Sequence, residues 1–414
     1  MDAYPKAVVV LAGARDHYQL PLALHESELL HTLVTDMYLP ADRKWFSLSL
    51  NSFLRPEVVS TRFCLGLDSR RVKISKSALC TFALMKAAPQ LRFNRIKDRF
   101  LSRKARLIAL RNNAPLFCYS YYGSEAFKPK EERPKHRFLF QLHPHPKSVR
   151  RILLDEIERG PYAHSSLRME HELSLGETDF EELANEPHLA NGWVVASSYT
   201  SQTLSEHRIP ADQIHVVPYG VDSAAFAERH QPPDPSKPFT VAYIGSLIQR
   251  KGLSYLLDAL RMLKTRNIRI LLCGRGFTDQ QLLRQYSDLN LEVKIGLPRQ
   301  ELVHRMHESD VLVLPSLAEG FAHVILEAMS CGLPVIATPH TCAPDVIVDR
   351  KQGFIVPIRD SERIVERLAW AMDHRSELAS MGGAAALQAR LFTWERFRSG
   401  VREAYKKMVA SIGR

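Results

Sequence analysis

Two carboxylates eight residues apart, Glu319 and Glu327, stand in the run Ser316-Leu-Ala-Glu319-Gly320-Phe321-Ala322-His323-Val-Ile-Leu-Glu327-Ala-Met329. Glu319 lies on a Gly-containing turn after the apolar run Val311–Leu314, and Glu327 falls inside a predicted helix that opens at Gly320. A strand, a Gly turn and a helix start hold anions, because free backbone N–H groups and the positive helix end converge on one point. Carboxylates beside such a point cannot ligate phosphate. They accept hydrogen bonds from hydroxyl groups instead. If fully helical the spacing amounts to about 12 Å of rise. That is too long for both groups to act on one atom, which excludes a glycosidase-type acid/base pair. It suits a ligand lying along the helix start, with a sugar at one end and a ribose further along.

Other residues supply what those two lack. Arg250 and Lys251 follow a predicted strand and a loop containing Gly245, where cations can neutralise a diphosphate as it leaves. Gly245 and Gly274 read as strand-end glycines, useful where backbone must approach a nucleotide closely. His143 and His145 end the apolar run Phe138-Leu-Phe-Gln-Leu. A histidine there, facing a cleft, can hydrogen-bond a sugar hydroxyl or accept a proton. The loop Ala12-Gly-Ala-Arg-Asp-His17 follows the first predicted strand and reaches the same cleft. No Asp-x-Asp pair occurs, which argues against a transferase whose dication balances the diphosphate.

The elements that must carry these residues are legible as apolar runs. Ala7–Leu11, Leu30–Thr35, Leu116–Tyr121, Arg137–Leu142 and Gly192–Ala196 read as buried strands, with helices predicted at 18–28, 147–159 and 168–184. The segment 230–238 holds four prolines and reads as a linker. After it the alternation restarts, with strands at 239–244, 268–273, 291–295, 311–314, 334–337 and 353–356. From Ser361 the chain is predicted helical to its end, with Gly382-Gly383 as a break. The fold class is α/β: two doubly wound sheets facing a cleft, each binding ligand beyond the carboxyl ends of its strands.

Composition narrows the class. A chain of 414 residues with 45% apolar content suits two soluble globular domains. Its six cysteines are scattered and form no CxxC pair, so neither a zinc site nor a disulfide framework is indicated, and a cytoplasmic location is expected. No segment is apolar over the roughly 18 residues needed to span a bilayer. Residues 41–111 carry 17 Lys/Arg against 4 Asp/Glu, an excess larger than the +11 of the whole chain. Aromatic and apolar residues, from Trp45 and Phe46 to Phe100, are interleaved with them. Such a block could be a solvated helical face, an anionic membrane surface contact on the cytoplasmic side, or a steering field for an acidic acceptor.

In the second half the chain resembles family 4 of the GT-B glycosyltransferases. The matching pieces are Val216-Val-Pro-Tyr-Gly-Val-Asp222, Tyr243-Ile-Gly-Ser246, Arg250-Lys-Gly252, Cys273-Gly-Arg-Gly276, the Glu319–Glu327 block, Gly332-Leu-Pro-Val335 and Gly353-Phe-Ile-Val-Pro357. The resemblance implies a retaining hexosyltransferase without a metal or cofactor, in which Glu319 contacts the transferred sugar, Glu327 the ribose, and Arg250 and Lys251 the diphosphate. It implies one cleft histidine near the sugar, His143 or, failing that, His145. The donor would be lined by Gly245, Ser246, Gly274, Gly320, Phe321, Ala322 and His323. The implied partners are a nucleotide-sugar donor and a glycan or lipid-linked acceptor, with no specific nucleic acid. The expected division is an acceptor-side domain over 1–222, a linker over 223–238, a nucleotide-sugar domain over 239–390, and a terminal helix over 391–414 that packs toward the first domain. The family's common Gly-Phe-Gly is Gly320-Phe321-Ala322 here, and Ser246 stands where the family often has Arg. The competing classes are a nucleotide-sugar-binding scaffold with a degenerate site and a polyanion-binding protein.

Overall fold

The computed structural model describes residues 4–39, 61–77, 94–128, 133–160, 164–231, 233–263 and 267–412. Much of the basic block, including Trp45, Phe46 and Arg92, lies outside the described residues. Two parallel sheets organise the chain. The first contains β1 (Ala7–Val10), β2 (Leu30–Thr35), β3 (Val72–Ile74), β4 (Leu116–Tyr119), β5 (Arg137–Gln141), β6 (Gly192–Val195) and β7 (Ile214–Val216), in the order β3-β2-β1-β4-β5-β6-β7. The second contains β8 (Phe239–Leu247), β9 (Ile268–Thr278), β10 (Leu291–Ile295), β11 (Val311–Leu314), β12 (Val335–Ala337) and β13 (Gly353–Ile355), in the order β10-β9-β8-β11-β12-β13. Central strands such as Ala7–Val10 and Val311–Leu314 are wholly buried, as continuous Val/Leu runs in two-sided parallel sheets must be.

This order fixes where a ligand can bind. The winding reverses between β1 and β4 in the first sheet and between β8 and β11 in the second. Those switch points leave crevices beyond the strand ends. The four loops there carry Arg15 and Asp16, Tyr121, Arg250 and Lys251, and Glu319.

The two halves are seated on each other through helices and a loop. Val149, Ile152, Leu153, Leu167 and Tyr199 of the first half pack with Leu317 and Ala318 of the second in one buried apolar cluster. The terminal helix Trp394–Ile412 crosses back onto the first sheet. Its Phe397, Val401 and Tyr405 are buried, Tyr405 contacts Phe138 edge-on at 5.7 Å, and Arg398 pairs with Glu26 at 3.0 Å.

Several predicted boundaries move. The single helix expected over 168–184 is three short ones, His164–Arg168, His171–Ser174 and Glu177–Asn185, broken at Met169–Glu170 and at Leu175–Gly176. The first break frees Glu170 to reach the second domain. Gly382 and Gly383 do not break a helix but lie inside Arg375–Ala389. A Cβ on Gly382 would overlap the Gly332 carbonyl oxygen, so its role is close packing. The helix after Glu319 starts at His323, not Gly320, so Glu327 sits one turn into it and the fully helical distance does not apply. Among the described residues, no helix is long and apolar enough to cross a membrane, and the five cysteines are free and buried.

Candidate active site

Glu319 is the centre of the site. Its Oε1 meets Lys251 Nζ at 2.5 Å and Arg250 Nη1 at 2.6 Å, and its side chain keeps only 11% of its surface exposed. Burial pushes its pKa up, but Lys251 and Arg250 more than reverse this and bring it to about 2. The carboxylate is therefore ionised at any working pH and too weak a base to take a proton from a hydroxyl. Burial pulls Lys251 down while Glu319 opposes it. Arg250 uses its fork on three partners: Nη1 on Glu319 and the Ala318 carbonyl, Nε on Glu170 of the first domain at 2.9 Å. A guanidinium has five donors and an ammonium three, so this pair retains capacity for a diphosphate.

The turn that carries the two cations is fixed from below. Gln249–Lys251 form a 3₁₀ turn closed by Gly252 at φ +71°. A Cβ on Gly252 would overlap the Pro315 carbonyl oxygen, and Leu317 N–H bonds the Arg250 carbonyl at 2.9 Å. The loops after β8 and β11 are thus bound to each other, which holds Glu319 over Lys251.

His143 lies beside the Glu319 cluster, its Cα against Gly320. It stands accessible in a narrow gap, and desolvation by the walls, with Arg15 and Arg250 adding to it, lowers its pKa to about 4, so it is neutral. Its ring lies 5.7 Å from that of Tyr121, which also meets His171 at 5.3 Å. His145 does not reach the site. It is buried, its Nδ1 accepts from Lys147 N–H at the start of the helix Pro146–Arg159, and it stacks on His207 at 3.9 Å.

Glu327 occupies a separate cavity of about 430 Å³, shared with Asp16, His17, Asp222, Arg299 and Trp394. Burial raises its pKa to about 7, against the pull of Arg299 and Arg275. His323 lines the same cavity and stacks on Tyr219 at 4.6 Å. The other expected donor residues divide. Gly245 lies inside β8 rather than at its end, but at φ +155° it has open space where a side chain would be, as backbone approach to a ligand requires. Gly274 is not at a strand end: it pairs with Gly245 inside β9, and a Cβ there would meet Ile295 and Leu247. Its smallness serves sheet packing. Ser246 donates to the Arg275 carbonyl at 3.0 Å. Phe321 is buried against Tyr219, so its ring serves the core and not a ligand. Gly320 abuts the backbone of Leu142 and His143. Ala322 caps the following helix at φ +69°, a left-handed conformation that costs a residue with a Cβ roughly 1–2 kcal/mol.

Sequence reading places Asp16 in a cleft loop without giving it a role, and misses Tyr121, Glu170 and Arg299 as site residues. Tyr121 stands at φ +80°, its N–H held by Glu186 at 2.8 Å. Asp16, His17 and Tyr18 form a left-handed run of three non-glycine residues, with Asp16 Oδ2 accepting from Tyr119 at 2.5 Å. Such strain gathers at functional loops. Its one sequence signal was position, directly after the first strand.

The chain has counterparts among known proteins. Residues 225–388 match the family model for glycosyl transferases group 1. Over 172 residues the chain is 30% identical to WcaL of Salmonella typhimurium, a glycosyltransferase named for colanic acid biosynthesis, covering 39% of this chain and 42% of that one. The chain thus spans less than half the length of this curated relative. Among solved structures, sucrose-phosphate synthase from Thermosynechococcus elongatus superposes with a TM-score of 0.68 at 16% identity, over 98% of this chain and 100% of the other. Anabaena Alr3699/HepE, solved in complex with UDP and glucose, gives 0.61 at 16% identity, over 97% and 99%. The shared fold is GT-B, with its two Rossmann-like domains and C-terminal helix.

Proposed function

We propose that the protein is a retaining glycosyltransferase that moves a sugar from a nucleoside diphosphate donor to a hydroxyl of a glycan or lipid-linked acceptor. The observation that carries this reading is the contact of Glu319 with Lys251 and Arg250 where the two switch points face each other. Lys251 and Arg250 stabilise the departing diphosphate, and Glu319 orients the sugar hydroxyls. Glu327 lies in the adjoining cavity, where a ribose fits. His143, neutral and accessible, accepts a hydrogen bond from the donor sugar. The bond between the anomeric carbon and the phosphate oxygen breaks, the acceptor oxygen bonds to that carbon on the same face, and its proton passes to the departing phosphate oxygen. The low basicity of Glu319 supports a scheme in which this carboxylate does not take that proton. The complex of HepE with UDP and glucose and the naming of WcaL for colanic acid biosynthesis support the donor and acceptor classes.

A thermal-shift panel of UDP-, GDP- and ADP-sugars tests the reading. The cognate donor at about 100 times its Kd adds about 2.7 kcal/mol to stability and raises Tm. A panel that leaves Tm unmoved removes the donor site.

The helix Asn94–Arg111 favours a membrane-facing acceptor. Ile96, Arg99, Phe100, Arg103, Leu107 and Arg111 are exposed and recur at helical spacing on one face. Cations alternating with apolar groups suit an anionic bilayer surface. Arg106, by contrast, turns inward. Arg99→Glu/Arg103→Glu is expected to abolish co-sedimentation with phosphatidylglycerol vesicles. Wild type that stays in the supernatant rules the contact out.

A further inference from the structure

Glu156 lies on the helix Pro146–Arg159 of the first domain, is 2% exposed, and receives its hydrogen bonds from the second domain. Gln249 Nε2 donates to its Oε1 at 2.7 Å, Tyr255 Oη reaches both oxygens at 2.8 and 3.0 Å, and Arg359 Nε donates to Oε2 at 2.7 Å. Gln249 is the first residue of the turn that presents Arg250 and Lys251. It is 1% exposed and held at every polar atom of its side chain: Nε2 also donates to Ser254 Oγ at 2.7 Å, and Oε1 accepts from Ser254 N–H at 3.1 Å. Its backbone N–H bonds Ser166 Oγ, again from the first domain, at 3.3 Å.

We propose that Glu156 is a positioning residue for the donor diphosphate: through Gln249 it sets the turn that aims Arg250 and Lys251. It touches no reacting atom. The chemistry favours a carboxylate here. Three donors converge on two oxygens, and an amide would point N–H groups at one of them. Satisfying every member of a buried polar network makes it rigid. The consequence is that the cation pair of the second domain is in place only while the first domain is docked. This inference rests on the reading of Arg250 and Lys251 as the cations that hold the donor's diphosphate.

The test is a binding comparison on the full chain. The nucleoside diphosphate that wild type binds among UDP, GDP and ADP is titrated by calorimetry, and its parent nucleoside by ligand-observed NMR. Glu156→Gln is expected to weaken the diphosphate about tenfold or more, since small misplacements of aligned groups cost that much, and to leave the nucleoside within twofold. Equal weakening of both ligands marks a merely structural role and overturns the proposal, as does unchanged binding of both. Should Glu156→Gln fail to fold, Gln249→Met cuts the same link while leaving Glu156 its bonds to Tyr255 and Arg359, and the same split is expected. Wild type that binds no nucleoside diphosphate overturns the donor reading itself.

Discussion

Replacing Lys251 by alanine is expected to lower kcat by about 10²–10³-fold, the usual loss when one preorganised charge aimed at a leaving group is removed. Lys251 Nζ stands 2.5 Å from Glu319 and on the same turn as Arg250, so its removal also strips the carboxylate of its nearest cation. The pH dependence then separates the two effects. Glu319 has a folded pKa near 2, below its ordinary 4.5. A depressed carboxylate contributes stability above the unfolded pKa and loses it as pH falls through the folded value. In wild type the loss attributable to Glu319 falls between about pH 4.5 and 2. In the variant the folded pKa rises toward the unfolded one and that acid-dependent contribution shrinks. Tm recorded from pH 6 to pH 2.5 reads this directly, beside turnover at neutral pH. A variant with wild-type kcat would take Lys251 out of leaving-group stabilisation.

Gly320→Ala is expected to damage the protein through its backbone. A Cβ there would overlap the Leu142 carbonyl oxygen and come within 3.2 Å of His143 Cα. The Gly320 carbonyl meanwhile accepts from Ser197 Oγ at 2.6 Å and Thr200 Oγ1 at 3.2 Å, both in the first domain. The loop cannot move away without giving up those bonds. The added methyl group should cost about 1–3 kcal/mol as overpacking. It should also shift Glu319 against His143 and lower kcat about 10²-fold. Gly383→Ala is the control: its Cβ meets nothing within 4 Å and the site is helical, so the change should be neutral or stabilising by about 0.5–1 kcal/mol. Unaltered Tm and turnover in Gly320→Ala would mean that the two domains are not seated there.

What could be read from the sequence was what is local. The strand–turn–helix setting of Glu319, and the Arg250-Lys251 pair after a buried strand, are visible because each sits within a few residues of the apolar run that positions it. Both doubly wound sheets were visible for the same reason: parallel strands buried on two faces leave unbroken Val/Ile/Leu runs. Residues that act across the molecule left no such mark. Glu156 meets Arg359 across 203 positions and Gln249 across 93, and nothing around it distinguishes it from a solvated helical glutamate. Periodicity puts Glu170 in the interior of a helix, yet the helix breaks there and the side chain pairs with Arg250 of the other domain. Gly274 reads as a strand-end glycine and Gly382 as part of a helix break because a glycine chosen for close packing looks the same in sequence as one chosen for its backbone freedom. His143 and His145 could not be told apart by spacing. What separates them is that one opens into the cleft and the other caps a helix under a stack of histidines.

The terminal helix has a bearing on the order in which the molecule is made. Tyr405 seals Phe138, and Gly192 is a glycine because Met408 lies against it. At ribosomal speeds of about 5–20 residues per second, β7 is complete roughly 10–40 s before this helix is. Through that interval the nascent first domain lacks part of its own cover. The apolar surface of β5 and β6 thus waits for a helix made long after the strands it covers.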